Sequence, residues 1–411
     1  MLWVEQPAGT GFSQGLSYET SEEEVAKNFL GFMRNFEDTF SFRNKNIYIS
    51  GESYAGMYVP YIADAMFSAK DKTYFNVQGT MIYDPSINSD TVLAGMQVVP
   101  YVNAFENLFN LNDTYMSSLR TQHTECGYAD FLSKHFVYPP RSRGPMPSPP
   151  KTRNAKCGTI WSDIQQAVTR VNPCFNIYDI ATTCPVLWDV LGFPGSFEYL
   201  PKGASIYFDR ADVQKAINAP NVKWAECNDI ALQKDTSLYS GLDGGPLTRV
   251  IDQSQRTIIA HGNFDFILLA NGTLMSIQNM TWGGSRGFQQ KPKNDFFVPY
   301  HNEREKGSLA ASGVMGVTHT ERKLTWVEVF LSGHMVPQYQ PSAAYRQMEF
   351  LLGRIASLEE VSAFTTQPGV AQPVLGKGAG TYAGNGSVPS RELFGEGEDR
   401  RVRLVTDRGF L

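Results

Sequence analysis

One stretch, residues Asn46 to Pro60 (N-I-Y-I-S-G-E-S-Y-A-G-M-Y-V-P), limits what this chain can fold into more than any other. Ile47, Tyr48 and Ile49 are β-formers without helical spacing and predict a short buried strand. Gly51 is expected to break that strand. From Ala55 onward Met57, Tyr58, Ile62, Ala65 and Met66 recur at roughly 3.6 residues and predict a helix. Ser53 stands in the turn between them. A strand, a sharp turn bearing a serine and then a helix is a way of presenting a nucleophile. Such a turn needs small residues two before and two after the serine, here Gly51 and Ala55. The helix N-terminus beyond it offers free N–H groups and a positive dipole end to a developing oxyanion. A bland reading competes, because a glycine-x-serine-x-small match arises by chance in a chain with 36 glycines. Gly283-Gly284-Ser285-Arg286-Gly287 fits the strict pattern better, but no β-run leads into it and it reads as a surface loop. Ser53 therefore needs a base and an orienting acid elsewhere in the chain.

The 411 residues can bury a large core. A net charge of −5 shows no surplus for nucleic-acid binding, and no apolar run is long enough for a membrane span. No basic and then apolar leader opens the chain, so no signal peptide is visible. Other marks point outside the cytosol. Four glycosylation sequons occur, at Asn112, Asn271, Asn279 and Asn385. Of five cysteines, Cys126, Cys157, Cys174 and Cys184 cluster in a turn-rich window and suit two disulfides, with three pairings open; Cys227 is the odd one. Five reduced, buried cysteines in a cytosolic enzyme are the plainer alternative. The spacings lack a C-x-x-C or a histidine partner, which argues against zinc; no metal and no cofactor are expected.

Taken in order, Leu2 to Ser13 reads as a strand running into a Pro/Gly loop. Ser21 with Glu24 suggests a capping box, and Val25, Phe29, Phe32, Met33, Phe36 and Phe40 share one face of the helix that follows. Val77 to Tyr83 is the next strand, ending in an Asp84-Pro85 turn. Strand and helix alternation predicts an α/β fold with a parallel sheet and crossover helices. Residues 1–100 form the first part of this core. Residues 101–203 hold the four clustered cysteines, and six prolines among the twelve residues from Pro139 to Pro150; they read as an inserted, loop-rich cap. Residues 204–356 resume the core with a short helix at Asp212–Ile217, strands at Arg256–His261 and Leu324–Leu331, and a helix from Pro341 with Ala344, Tyr345, Met348, Leu351, Leu352 and Ile355 inward. Residues 357–411 are expected to be a poorly ordered tail.

In an α/β-hydrolase the acid and then the base follow the nucleophile, on loops after later strands. Asp265 follows the Arg256–His261 strand and His334 follows the Leu324–Leu331 strand between small neighbours. A lone loop aspartate is usually a turn residue, and a lone histidine is usually structural. Of the others, His123, His135, His301 and His319 lack that placement, and His261 precedes Asp265, which would reverse the order. The coincidence of three strand-end residues assigns Ser53 as nucleophile, Asp265 as acid, His334 as base and the Tyr54 N–H as oxyanion donor, for acyl transfer to water.

The motifs W-V-E-Q-P-A-G-T-G-F-S, I-S-G-E-S-Y-A-G-M-Y-V-P, D-F and G-H-M-V-P resemble those of the serine carboxypeptidases, fungal members especially, over about residues 2 to 355. The resemblance implies the same three catalytic residues. It implies that Glu52 helps bind the substrate's C-terminal carboxylate and that Met335 lies near the leaving-group pocket. A carboxyl group grips a carboxylate only when protonated, so such recognition favours acid pH and a vacuolar or secreted setting. The substrates implied are peptide and protein C-termini. An acyltransferase or esterase on the same scaffold, or a non-catalytic binding homologue, are the alternatives.

Departures from the family pattern matter. The resemblance implies a preceding segment with the motif Asn-Gly-Gly-Pro-Gly-Cys-Ser-Ser, which would bring the first strands, a second oxyanion N–H and a cysteine partner for Cys227. It is not in this sequence, so the chain as given is expected to be weakly active or inactive. Leu268 stands where some members carry a cysteine near the site.

Overall fold

The computed structural model describes residues 1–366 apart from 14, 16–18, 143, 151–153, 193–199, 227–231, 233–234 and 302–310. Cys227, Asn385 and most of the expected tail therefore lie outside the described residues.

The strands are β1 (Asn46–Glu52), β2 (Asn76–Tyr83), β3 (Arg256–Gly262), β4 (Thr281–Trp282), β5 (Ser285–Arg286), β6 (Asn294–Val298), β7 (Gly313–Glu321) and β8 (Leu324–Val329). Six of them make one sheet in the order β1-β2-β3-β8-β7-β6. The first four run parallel and the last two pairings are antiparallel. The central strands β2, β3 and β8 are buried on both faces, which is why they are runs of apolar residues rather than alternations, while the edge strand β1 is only half-buried. Ile82 and Ile259 point to one face, with Val59, Leu247, Ile251 and Trp326. Their neighbours Met81, Tyr83, Ile258 and Ala260 point to the other, with Ala343, Phe350 and Leu351 of the helix Pro341–Leu351. Helices α1 (Glu22–Phe40) and α2 (Ala55–Ala69) pack together through Ala26, Met33, Met57, Ile62 and Met66.

Several expectations are corrected. Residues 1–5 form no strand, and Leu2 and Trp3 are exposed; β propensity yields no strand without a ladder partner. Gly51 lies inside β1, paired with Ile82. A Cβ there would sit 2.4 Å from the Ala55 side chain, so the glycine lets α2 fold back on its own strand. The capping box does not form: Ser21 makes no side-chain cap, and the Glu24 carboxylate instead accepts the Thr20 N–H at 2.7 Å. On α1 Phe32 and Phe40 are exposed, while Glu22 and Glu37 are buried. The Gly283–Gly284 pair makes the tight turn of the β4–β5 hairpin, both glycines at positive φ.

Residues 101–203 hold helices as well as the expected loops, and the described residues after Val171 are loop. Helices span Val98–Ala104, Glu106–Phe109, Asp113–Glu125, Tyr128–His135 and Ala155–Val171. They share a core of Met96, Val102, Phe109, Leu119, Ile160 and Ile164 that reaches Phe266 and Leu269. The cysteines pair Cys126–Cys157 and Cys174–Cys184, with separations of 31 and 10 residues. Loop-closure entropy alone gives these about 3.7 and 2.7 kcal/mol respectively. The described residues of the proline tract have no regular structure, as expected. Order also continues past residue 357. Leu358 and Phe364 are buried, and the fully buried Arg346 donates to the carbonyls of Glu360 and Ala363.

Candidate active site

The C-terminal ends of β1, β2, β3 and β8 converge, because parallel neighbours end together. Ser53 follows β1 directly. Its φ of 60° is left-handed, a strained conformation for a residue with a side chain. Three backbone bonds hold it there. The Ser53 N–H donates to the Tyr83 carbonyl at 2.9 Å, and its own carbonyl accepts from Gly56 and Ser86, both at 2.9 Å. Gly56 permits the second contact, since a Cβ there would lie 2.7 Å from the Ser86 backbone. Among the described residues no hydrogen bond uses the Tyr54 N–H, which points from the start of α2. The Tyr54 hydroxyl is tied down separately, donating to Glu22 at 3.0 Å and Asp235 at 3.2 Å.

Asp265 and His334 meet as expected from their strand ends. His334 Nδ1 lies 2.7 Å from Asp265 Oδ2, and both side chains are buried. The other oxygen, Asp265 Oδ1, accepts the N–H groups of Ile267 at 2.9 Å and Leu268 at 3.1 Å. A carboxylate with three donors is fixed in position. Burial pulls the His334 imidazole down, but Asp265 outweighs it, with Asp84 and Glu52 adding, so that it is pushed up to about 9. No hydrogen bond joins the Ser53 hydroxyl to His334 among the described residues; Ser53 shares their end of the sheet, and such contacts commonly tighten when substrate binds.

Glu52, half-buried at the end of β1, is pushed up to about 7, chiefly by burial, with Asp265 and Glu226 adding and His334 opposing. It holds its proton far more readily than an ordinary carboxyl. Met335 follows His334, half-buried, and Leu268 is buried beside the acid. Of the sequons, Asn112 is exposed and caps its helix through its side-chain oxygen. Asn271 is half-buried with Thr273 fully buried, and Asn279 is engaged by the Met146 N–H at 2.7 Å.

One element escaped sequence reading. Ile177 to Ile180, between the helical insertion and the rest of the core, straps the loops that carry Asp265 and His334 together. The His334 N–H donates to the Tyr178 carbonyl at 2.7 Å, and Phe266 and Ile267 donate to the Ile177 carbonyl. Tyr178 stands edge-on to the His334 ring at 5.4 Å. The Cys174–Cys184 disulfide closes this strap at its base. The only available signal was the ten-residue cysteine spacing.

The four-stranded parallel centre, the crossover helices and the serine at a strained strand-to-helix turn define an α/β-hydrolase. The serine carboxypeptidase family model matches residues 1–353. The chain is 53% identical over 373 residues to a probable serine carboxypeptidase of Arthroderma benhamiae, covering 88% of this chain and 69% of that protein. It is 43% identical over 383 residues to serine-type carboxypeptidase F of Aspergillus niger, covering 86% and 70%. Among solved structures, a prohormone-processing carboxypeptidase from Saccharomyces cerevisiae shares the fold, with a TM-score of 0.62, 21% identity and coverage of 87% and 75%. This chain belongs to the serine carboxypeptidase family.

Proposed function

We propose that this serine carboxypeptidase releases the C-terminal residue of peptides through Ser53, His334 and Asp265, with Glu52 reading the substrate's carboxylate. The observation that carries the reading is the buried His334–Asp265 bond at the same sheet end as the strained Ser53. Ser53 Oγ attacks the scissile carbonyl carbon and gives its proton to His334 Nε2. Asp265 holds the Nδ1–H and balances the imidazolium. The tetrahedral oxyanion meets the Tyr54 N–H and the positive end of α2. As the C–N bond breaks, His334 returns the proton to the leaving amine. Water then attacks the acyl-serine by the same route.

The partner class follows from Glu52. In its neutral form it donates an O–H to the substrate carboxylate; ionised, it repels it. The proton on Glu52 also removes one of the charges that make His334 basic, so the two titrations are linked. Binding weakens as the pH rises through about 7, the value for Glu52. In Glu52→Gln, whose amide is neutral throughout, that alkaline fall in kcat/KM is expected to vanish. A fall at the same pH in both proteins would remove Glu52 from this role.

The direct test compares a blocked dipeptide with a free C-terminal carboxylate against its amide. Cleavage of the free acid is expected to be faster by at least about tenfold, the value of roughly one charge-assisted contact. Equal rates would point to a general acyl hydrolase instead. Two disulfides suit an oxidising compartment. With the exposed sequon at Asn112, they support a secreted or vacuolar, glycosylated protein.

A further inference from the structure

Beneath His334 and Asp265 lies a second buried acid–imidazole pair that the reaction above does not use. Asp84 follows β2, and His261 is in β3. Neither has any solvent exposure, and His261 Nδ1 lies 2.8 Å from Asp84 Oδ1. The same oxygen accepts the Gly262 N–H at 2.8 Å. The same His261 Nδ1 is 4.0 Å from Asp265 Oδ2. One imidazole nitrogen therefore faces two buried carboxyls, one of them the partner of His334.

The turn does not require an acid at residue 84. Its φ of 44° suits asparagine as well as aspartate, and a buried carboxyl is the more expensive of the two. The hydrogen-bond pattern says how the pair is arranged. Oδ1 meets one fixed donor, the Gly262 N–H, while His261 Nδ1 lies 2.8 Å from Oδ1 and 3.5 Å from the Gly262 carbonyl oxygen. His261 Nε2 is buried and has no partner among the described residues. An imidazolium would leave an N–H there without an acceptor, so His261 is the neutral Nδ1–H tautomer, as burial itself favours. Any charge in the pair then rests on Asp84.

The groups facing this pair come from every neighbouring strand end. Asp265 and His334 lie on the loops after β3 and β8, Glu52 ends β1, and Glu328 of β8 is in register with His261. Trp326 covers the His261 ring at 6.0 Å. The phenols of Tyr83, Tyr101 and Tyr339 close the volume, and all three hold their protons more tightly than usual because of burial. Burial, and then Asp265, push the Asp84 carboxyl up, while His334 and the Gly262 N–H oppose them.

We propose that Asp84 and His261 are a positioning pair for Asp265 and His334, in which the charge on Asp84 sets how strongly His334 holds its proton. The proposal rests on the reading of His334 as the base. The clamp on the Gly262 N–H fixes the start of the loop that carries Asp265, whose own N–H returns to the Gly262 carbonyl at 3.3 Å. When Asp84 is ionised, its charge acts on His334 together with those of Asp265 and Glu52.

Asp84→Asn separates the two contributions, because the amide oxygen still accepts the Gly262 N–H but carries no charge. The readout is the downfield imidazole N–H proton of His334, followed by NMR against pH and assigned by its loss in His334→Ala. In Asp84→Asn its titration midpoint is expected to move down by about one unit. The acid limb of organophosphate labelling of Ser53 should move with it. Asp84→Ser, neutral and smaller, should shift the midpoint in the same direction. An unchanged midpoint in the folded variants overturns the proposal. Failure of both to fold also overturns it, by making the pair a structural buttress. If the parent protein shows no titrating His334 proton, it is the assignment of the base that fails.

Discussion

Ser53→Ala is expected to abolish covalent labelling by an organophosphate and to lower kcat for peptide cleavage by about 10⁶, the scale seen when a nucleophile of such a triad is removed. The loss should fall on kcat rather than KM, because in the proposed role Ser53 contributes its oxygen in the transition state and little to substrate binding. Fold should be unaffected. The left-handed turn is held by the Ser53 N–H and carbonyl, not by its hydroxyl, and alanine tolerates the same φ about as poorly as serine. His334→Ala should reproduce most of the same loss, and the double variant should cost little more than either single one, because the groups act as a unit. Measuring labelling, kcat and KM on the three variants checks this. Retention of labelling in Ser53→Ala would remove Ser53 from the reaction. Additive losses in the double variant would mean that Ser53 and His334 do not work together.

The parts of the site that sequence made visible are those whose signal is local. Ile47–Ile49 and Ala55–Met66 bracket Ser53, and strong β-runs precede Asp265 and His334. Pattern and order therefore carried the assignment of these residues to strand ends. The parallel sheet with crossover helices followed from the same runs. The antiparallel β6 and β7 went unread, being short, or interrupted by Gly313 and Gly316. Contacts between distant segments had no local signal at all. Asp84 looked like half of an Asp-Pro turn, and His261 looked like a rival base in the wrong order. Only the β2–β3 pairing, Tyr83 against Ala260, brings the two together. The Tyr178 strap is similar, because nothing in its own residues names the loops it holds. On α1 the aromatic spacing misled. Periodicity gives the common face of Phe32, Phe36 and Phe40, but not whether a neighbour covers it, and two of the three are exposed.

Gly262 ends β3 at the point where the loops of Asp265 and His334 are stitched together, and Gly262→Ala is expected to damage the site without abolishing the fold. A Cβ there would lie 2.1 Å from the Gly333 carbonyl oxygen and 2.5 Å from that of Ser332. Both obstacles are backbone, so no side chain can rotate away. The same stretch is bound across the gap, with Asn263 donating to the Val329 carbonyl at 3.0 Å and Phe264 to that of Ser332 at 2.8 Å. Gly333 cannot yield either, since it already packs against the Tyr178 carbonyl, where a Cβ would sit at 2.1 Å. A methyl group must therefore push the loop of Asp265 away from the loop of His334. Overpacking of this kind costs about 1–3 kcal/mol of stability. A displacement on the order of 1 Å in a catalytic group costs about 10²-fold in rate. The control is Gly158→Ala, in the helix Ala155–Val171, where nothing lies within 4 Å of the added carbon. Removing a helical glycine there should raise stability by about 0.5–1 kcal/mol and leave kcat alone. Thermal melts and kcat on both variants measure the contrast. Wild-type kcat in a folded Gly262→Ala protein would show that the spacing of the two loops does not limit the reaction.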